Sequence, residues 1–99
     1  MVIYLFCNAG MSTSMVASLA KKAYAARGKE VEMEAFDLSM LPDVADEADV
    51  LVFGPQIAWR YEDAKKEYPD KVVLLLTMKE FGSMNGDVIV DRIENELKK

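Results

Sequence analysis

At 99 residues the chain has room for one hydrophobic core and none for a separate substrate domain. Apolar side chains make up 52% of it and the net charge is −5, which excludes general disorder and argues against a nucleic-acid backbone as partner. One cysteine and no histidine exclude an internal disulfide, His-based triads, phosphohistidine on this chain and most zinc sites, so no metal is expected.

Residues 2–6 are a continuous apolar run and predict a buried strand, with Cys7 at its carboxyl end. Residues 14–27 place Val16, Leu19, Ala20 and Ala23 on one helical face, and Gly28 is a natural stop. Residues 30–36 alternate Glu30, Glu32 and Glu34 against Val31, Met33 and Ala35, the pattern of a strand with one wet face at a sheet edge. Pro42 opens a short acidic helix through Ala48. Residues 50–53 form a second buried strand, ended by Gly54-Pro55-Gln56, and a helix over 58–68 stops at Pro69. Residues 72–76 are the last strand. After a turn over Phe81 to Gly86, with Asn85 as cap, a final helix buries Ile89, Val90, Ile93 and Leu97.

The order βαβαβαβα implies a parallel sheet with helices on both faces. Right-handed crossovers and an edge position for 30–36 favour a four-stranded sheet of order 2-1-3-4 in an α/β fold. The first and third strands are then central neighbours, and their carboxyl-end loops, 7–14 and 54–58, meet at the switch point where such sheets bind ligands.

Cys7 is followed by Asn8, Ala9, Gly10, Met11, Ser12, Thr13 and Ser14, a small polar loop leading into a helix. Free backbone N–H groups and the positive end of a helix dipole favour a thiolate and cradle an oxyanion such as phosphate. Gly10 permits close backbone approach, and three hydroxyls add donors. A small free cysteine buried at a strand end has the same local pattern; the polar loop and the helix after it favour the nucleophile. The loop has the length of Cys-x5-Arg-Ser/Thr, found in low-molecular-weight tyrosine phosphatases, but Thr13 stands where the arginine belongs. Without that guanidinium, and with no Asp-Pro loop to supply a general acid, the chemistry that survives is making and holding a phosphocysteine.

The run Ile3 to Ser14, with Phe6-Cys7-Asn8-Ala9-Gly10-Met11-Ser12-Thr13-Ser14, and Gly54-Pro55-Gln56-Ile57-Ala58 after the third strand, resembles enzyme IIB of the lactose/cellobiose/chitobiose group of the sugar phosphotransferase system. Trp59 is a mild departure, since tyrosine usually follows Gln-Ile-Ala in that family. The resemblance spans the chain and implies one IIB domain over 1–99, with a fold similar to low-molecular-weight tyrosine phosphatases and flavodoxins. It implies that Cys7 takes a phosphoryl group from a phosphohistidine on enzyme IIA and passes it to a β-linked disaccharide or β-glucoside held by the membrane enzyme IIC. Residues 8–14 would surround the phosphate, and Gly54, Pro55, Gln56, Ile57 and Ala58 would form a second wall and part of the docking surface. No cofactor, nucleic-acid partner or membrane insertion is implied, and a reactive free thiol suits the cytoplasm. Two other readings share the loop. One is a flavodoxin-like module holding a mononucleotide phosphate with Trp59 on its ring; the other is a cysteine-dependent phosphatase.

Overall fold

The computed structural model describes residues 1–8 and 11–99, with the side chains of residues 11 and 12 left aside. Four strands, β1 (Val2–Cys7), β2 (Glu32–Asp37), β3 (Val50–Phe53) and β4 (Val72–Leu75), form one parallel sheet of order β2-β1-β3-β4. The helices are α1 (Met11–Ala26), α2 (Leu41–Val44), α3 (Ala58–Glu67), α4 (Met78–Gly82) and α5 (Gly86–Leu97), with 3-10 turns at Leu38–Met40, Ala45–Glu47 and Pro55–Ile57.

Because the inner strands are apolar throughout, residue parity alone sorts their side chains between two layers. Ile3, Leu5, Val50, Val52 and Leu74 face Val16, Ala17, Ala20 and Tyr24 of α1 and Ile89, Val90 and Ile93 of α5. Tyr4, Phe6, Leu51, Phe53 and Val73 face Leu41, Val44 and Ala45, together with Ile57 just before α3 and Ala64 within it. Phe6 anchors the second layer, its ring 5.8 Å from Phe53 and 6.0 Å from Phe36.

Several boundaries move from those the sequence predicts. Helix α1 starts at Met11, so part of the polar loop is its first turn. Strand β2 starts at Glu32, where pairing with Val2 of β1 begins, and it is an edge strand with Glu32 and Glu34 exposed against buried Met33. The acidic segment after it breaks into a 3-10 turn, one turn of α-helix with Pro42 in its first turn, and a second 3-10 turn. Helix α4 is not predicted by the sequence and overlaps the expected turn only at Phe81 and Gly82: Thr77 accepts from the Glu80 N–H at 3.0 Å while Glu80 accepts from the Thr77 N–H at 2.9 Å. That capping box is the local signal for the helix. Leu97, expected in the core, is 37% exposed because α5 runs past the edge of its layer there.

The α1–α5 contact is tied by polar groups at its rim. The Tyr24 hydroxyl donates to Glu94 at 3.0 Å, and Lys29 reaches the other Glu94 oxygen at 2.6 Å. The Lys29 hydrogen bond, helped by that from Tyr24, holds the Glu94 carboxyl below its ordinary value near 4.5. Burial, reinforced by the bond to Glu94, pushes the Tyr24 phenol well above its ordinary value near 10. Glu94 therefore contributes stability that is present above its unfolded pKa and lost as pH falls through the lowered folded value. Tyr24 contributes stability that is present below its unfolded pKa and lost as pH rises above it. The urea midpoint is expected to fall more between about pH 5 and about pH 3 in the wild type than in Glu94→Gln. Equal falls in the two proteins would show that Glu94 carries no such linkage.

Candidate functional site

The two central strands deliver their carboxyl ends side by side: Phe6 is in register with Phe53, and the Gly54 N–H donates to the Phe6 carbonyl at 3.0 Å. Cys7 therefore leaves β1 directly beside the Gly54 turn. The cysteine is 2% exposed, covered from the side of that turn. Its thiol donates to Gln56 Oε1 at 3.6 Å and, more weakly, to Asn8 Oδ1 at 3.9 Å, so two amide carbonyls face one sulfur.

Gly54 makes this approach possible. A Cβ at position 54 would stand 3.0 Å from Gln56 Oε1, 3.5 Å from the Phe6 carbonyl and 3.8 Å from Cys7 Sγ. Its φ is −71°, so the requirement is for space and not for an unusual backbone conformation. Pro55 opens the 3-10 turn that carries Gln56, with φ preset by its ring. Ile57 points into the second layer of the core and anchors the turn, while Gln56 and Ala58 are exposed.

In the other loop, Thr13 is 1% exposed and its Oγ1 has no hydrogen-bond partner among the described residues. Ser14 is exposed. Ala9 and Gly10 lie outside the described residues, as do the side chains of Met11 and Ser12. The structure thus brings together Cys7, Asn8, Gly54 and Gln56 and places Ile57 beneath them.

The parts a hydrolytic phosphatase needs are assigned elsewhere. The three arginines of the chain are engaged in ion pairs: Arg27 with Asp87 and Asp91, Arg60 with Glu67, and Arg92 with Glu80 and Glu96. Asp37 is in register with Cys7 across the β1–β2 pair, but its carboxylate caps the Leu38–Met40 turn. Hydrogen bonding to Ser39 holds its pKa below the ordinary value, which favours a carboxylate over an acid able to protonate a leaving group. The register that brings Asp37 level with Cys7 has no signal in the local sequence.

Among the described residues, the large apolar side chains of Met15 in α1 (59%), Trp59 in α3 (70%) and Met78 in α4 (68%) are the most exposed. Each stands in the early part of a helix that follows a strand. Met78 has no signal in the sequence analysis, because helix α4 is not predicted there. A groove of about 520 Å3, lined among others by Met1, Lys21, Lys29 and Glu32, lies at the opposite, amino end of the strands.

A parallel sheet of order 2-1-3-4 with a buried thiol at its switch point defines a cysteine-loop α/β domain, the architecture shared by IIB domains and low-molecular-weight phosphatases. The chain belongs to the lactose/cellobiose-specific IIB subunit family of the phosphotransferase system, whose family model matches residues 2–92. Among its relatives are the galactose-specific EIIB component of Lactococcus lactis subsp. cremoris and the cellobiose-specific EIIB component of Lactococcus lactis subsp. lactis. Each is 37% identical over 101 residues, covering 95% of this chain and 94% of the relative. The lactose-specific IIB domain of Streptococcus pneumoniae superposes with a TM-score of 0.89 over 97% of this chain and 96% of the other, at 10% identity, a likeness of fold alone. The cellobiose-specific IIB component of Borrelia burgdorferi superposes with a TM-score of 0.76 at 28% identity, over 97% of this chain and 90% of the other. The chain is thus a sugar-specific IIB component, with a general role in phosphoryl transfer linked to sugar uptake. Among the described residues no helix is long and apolar enough to cross a membrane.

Proposed function

We propose that the chain, as one cytoplasmic IIB domain, carries phosphate on Cys7 between two partners. The thiolate of Cys7 attacks the phosphorus of a phosphohistidine on enzyme IIA. The S–P bond forms as the P–N bond breaks, and the thiol proton ends on the freed imidazole. The phosphoryl group then moves to a β-linked disaccharide or β-glucoside held by enzyme IIC. The observation that carries this reading is the single cysteine held at the switch point against the Gly54 turn, in a chain whose arginines are all engaged in ion pairs. Such a site is suited to taking up a phosphoryl group and poorly equipped to speed its transfer to water.

Residues 8–14 and 54–58 are proposed to surround the phosphoryl group. Backbone N–H groups at the start of α1 supply charge stabilisation, so the reaction needs no metal or other cofactor. The exposed Met15, Trp59 and Met78 support a docking surface around the thiol. They are adaptable or amphipathic side chains of the kind that serve two partners in turn.

The test is to mix the protein with phosphorylated IIA and follow intact mass. One phosphate is expected, mapping to the peptide that contains Cys7; no gain in mass, or phosphate mapping elsewhere, would sink the reading.

Thr13 provides a second check on the loop. Its hydroxyl is buried and has no partner among the described residues, so Thr13→Val should raise stability by about 1 kcal/mol. If the hydroxyl serves the phosphoryl group, the same variant should shed its phosphate several times faster. A variant that is more stable and sheds phosphate at the wild-type rate would remove Thr13 from the set of phosphate ligands.

A further inference from the structure

Among the described residues, the thiol's closest side-chain partner is an acceptor. Gln56 turns Oε1 toward Cys7 Sγ at 3.6 Å, in a slot kept open by the missing side chain of Gly54. This suits a thiol, which has one weak proton to donate. It does not suit the phosphorylated cysteine, which has no S–H and presents anionic oxygens where a carbonyl oxygen now points. Of the natural side chains of this length, only glutamine offers an acceptor and a donor at interchangeable positions. A half-turn about its last torsion exchanges Oε1 for Nε2 without changing the volume filled.

Resting on the reading of Cys7 as the phosphorylated residue, we propose that Gln56 is a direct ligand of the phosphoryl group that turns its amide with the state of Cys7. It accepts from the thiol in the free protein and donates Nε2–H to the phosphoryl group once the S–P bond has formed. The turn satisfies both states with one side chain, so neither leaves a polar group facing a like partner. The backbone around it stays in place, because Pro55 sets the turn and Ile57 is packed in the core. Asn8, with Oδ1 at 3.9 Å, faces the same sulfur more loosely and is free to follow.

Gln56 is the only glutamine in the chain, so selective 15N labelling of glutamine yields a single side-chain amide pair. On phosphorylation one of its two protons is expected to move clearly downfield and to exchange more slowly with water. Gln56→Glu keeps the shape but can only accept, and Gln56→Met keeps the length with neither function. Phosphate uptake by Cys7 should fall at least about tenfold in the Glu variant and less in the Met variant, with the native spectrum retained in both. Gly54→Ala, which leaves the glutamine in place but crowds its slot, should reduce the amide response without the charge penalty. A glutamine amide pair that does not move while mass shows a phosphorylated protein would overturn the inference and leave the function standing. So would uptake rates in the Glu and Met variants equal to the wild type. A wild-type protein that takes no phosphate on Cys7 would overturn both.

Discussion

Cys7→Ser is expected to fold as the wild type does and to lose phosphoryl acceptance by about four orders of magnitude or more. Serine fits the space, and its hydroxyl finds the same acceptors the thiol has, Gln56 Oε1 and Asn8 Oδ1. The buried position should therefore cost no more than about 1 kcal/mol. Reactivity is another matter. A serine hydroxyl stays protonated at neutral pH and needs a neighbouring general base, and the chain has no histidine to serve as one. Intact mass after mixing with phosphorylated IIA reads the result directly. A serine variant that gained phosphate at the wild-type rate would move the acceptor to another residue and undo the carrier mechanism on Cys7.

Gly86→Ala should be among the most damaging single-methyl additions in the chain, although position 86 is far from Cys7 in sequence and opens a helix. A Cβ there would lie 2.2 Å from the Leu19 carbonyl oxygen and 2.6 Å from its carbon. Both are backbone atoms in the middle of α1, so no rotamer change relieves the clash. The two helices must separate, and they carry Val16, Ala17, Ala20 and Tyr24 against Ile89, Val90 and Ile93 in one continuous layer. A loss of about 3 kcal/mol is expected, with a fall in Tm of roughly 15 °C for a domain of this size. Gly82→Ala is the control: nothing stands within 4 Å of its Cβ and the residue is helical, so it should be neutral or slightly stabilising. If thermal melts placed the two variants together near the wild type, the close α1–α5 approach would be wrong.

These two predictions differ in how far the sequence alone foreshadowed them. Cys7 stood out as the only cysteine, after an apolar run and before a polar loop. Gly86 read as part of an Asn-Gly turn before a helix, and nothing in its local pattern announced a helix–helix contact. The distinction runs through the whole molecule. Local periodicity is written in neighbouring residues, so the alternation of strands and helices, the wet face of β2 and the edge position of that strand were legible. From them followed the order 2-1-3-4 and the meeting of the Cys7 and Gly54 loops, because right-handed crossovers leave few arrangements of a parallel sheet.

Contacts between distant residues are not written that way. The direction of the Gln56 amide depends on a register between strands far apart in the chain, as does the level position of Asp37 and Cys7. The engagement of Arg92 with Glu80 depends on how α4 and α5 meet, and α4 itself is too short to show a helical period in the sequence. Leu97 shows the converse limit: it keeps the helical period of Ile93, yet it lies beyond the end of the layer and stays partly exposed. Composition and periodicity thus determined most of the elements and the sheet order by themselves, and they singled out Cys7 as the residue proposed to carry phosphate. Only the packed structure decided which groups face the thiol and which backbone atoms touch, because those are set by distances between segments that lie far apart in the chain.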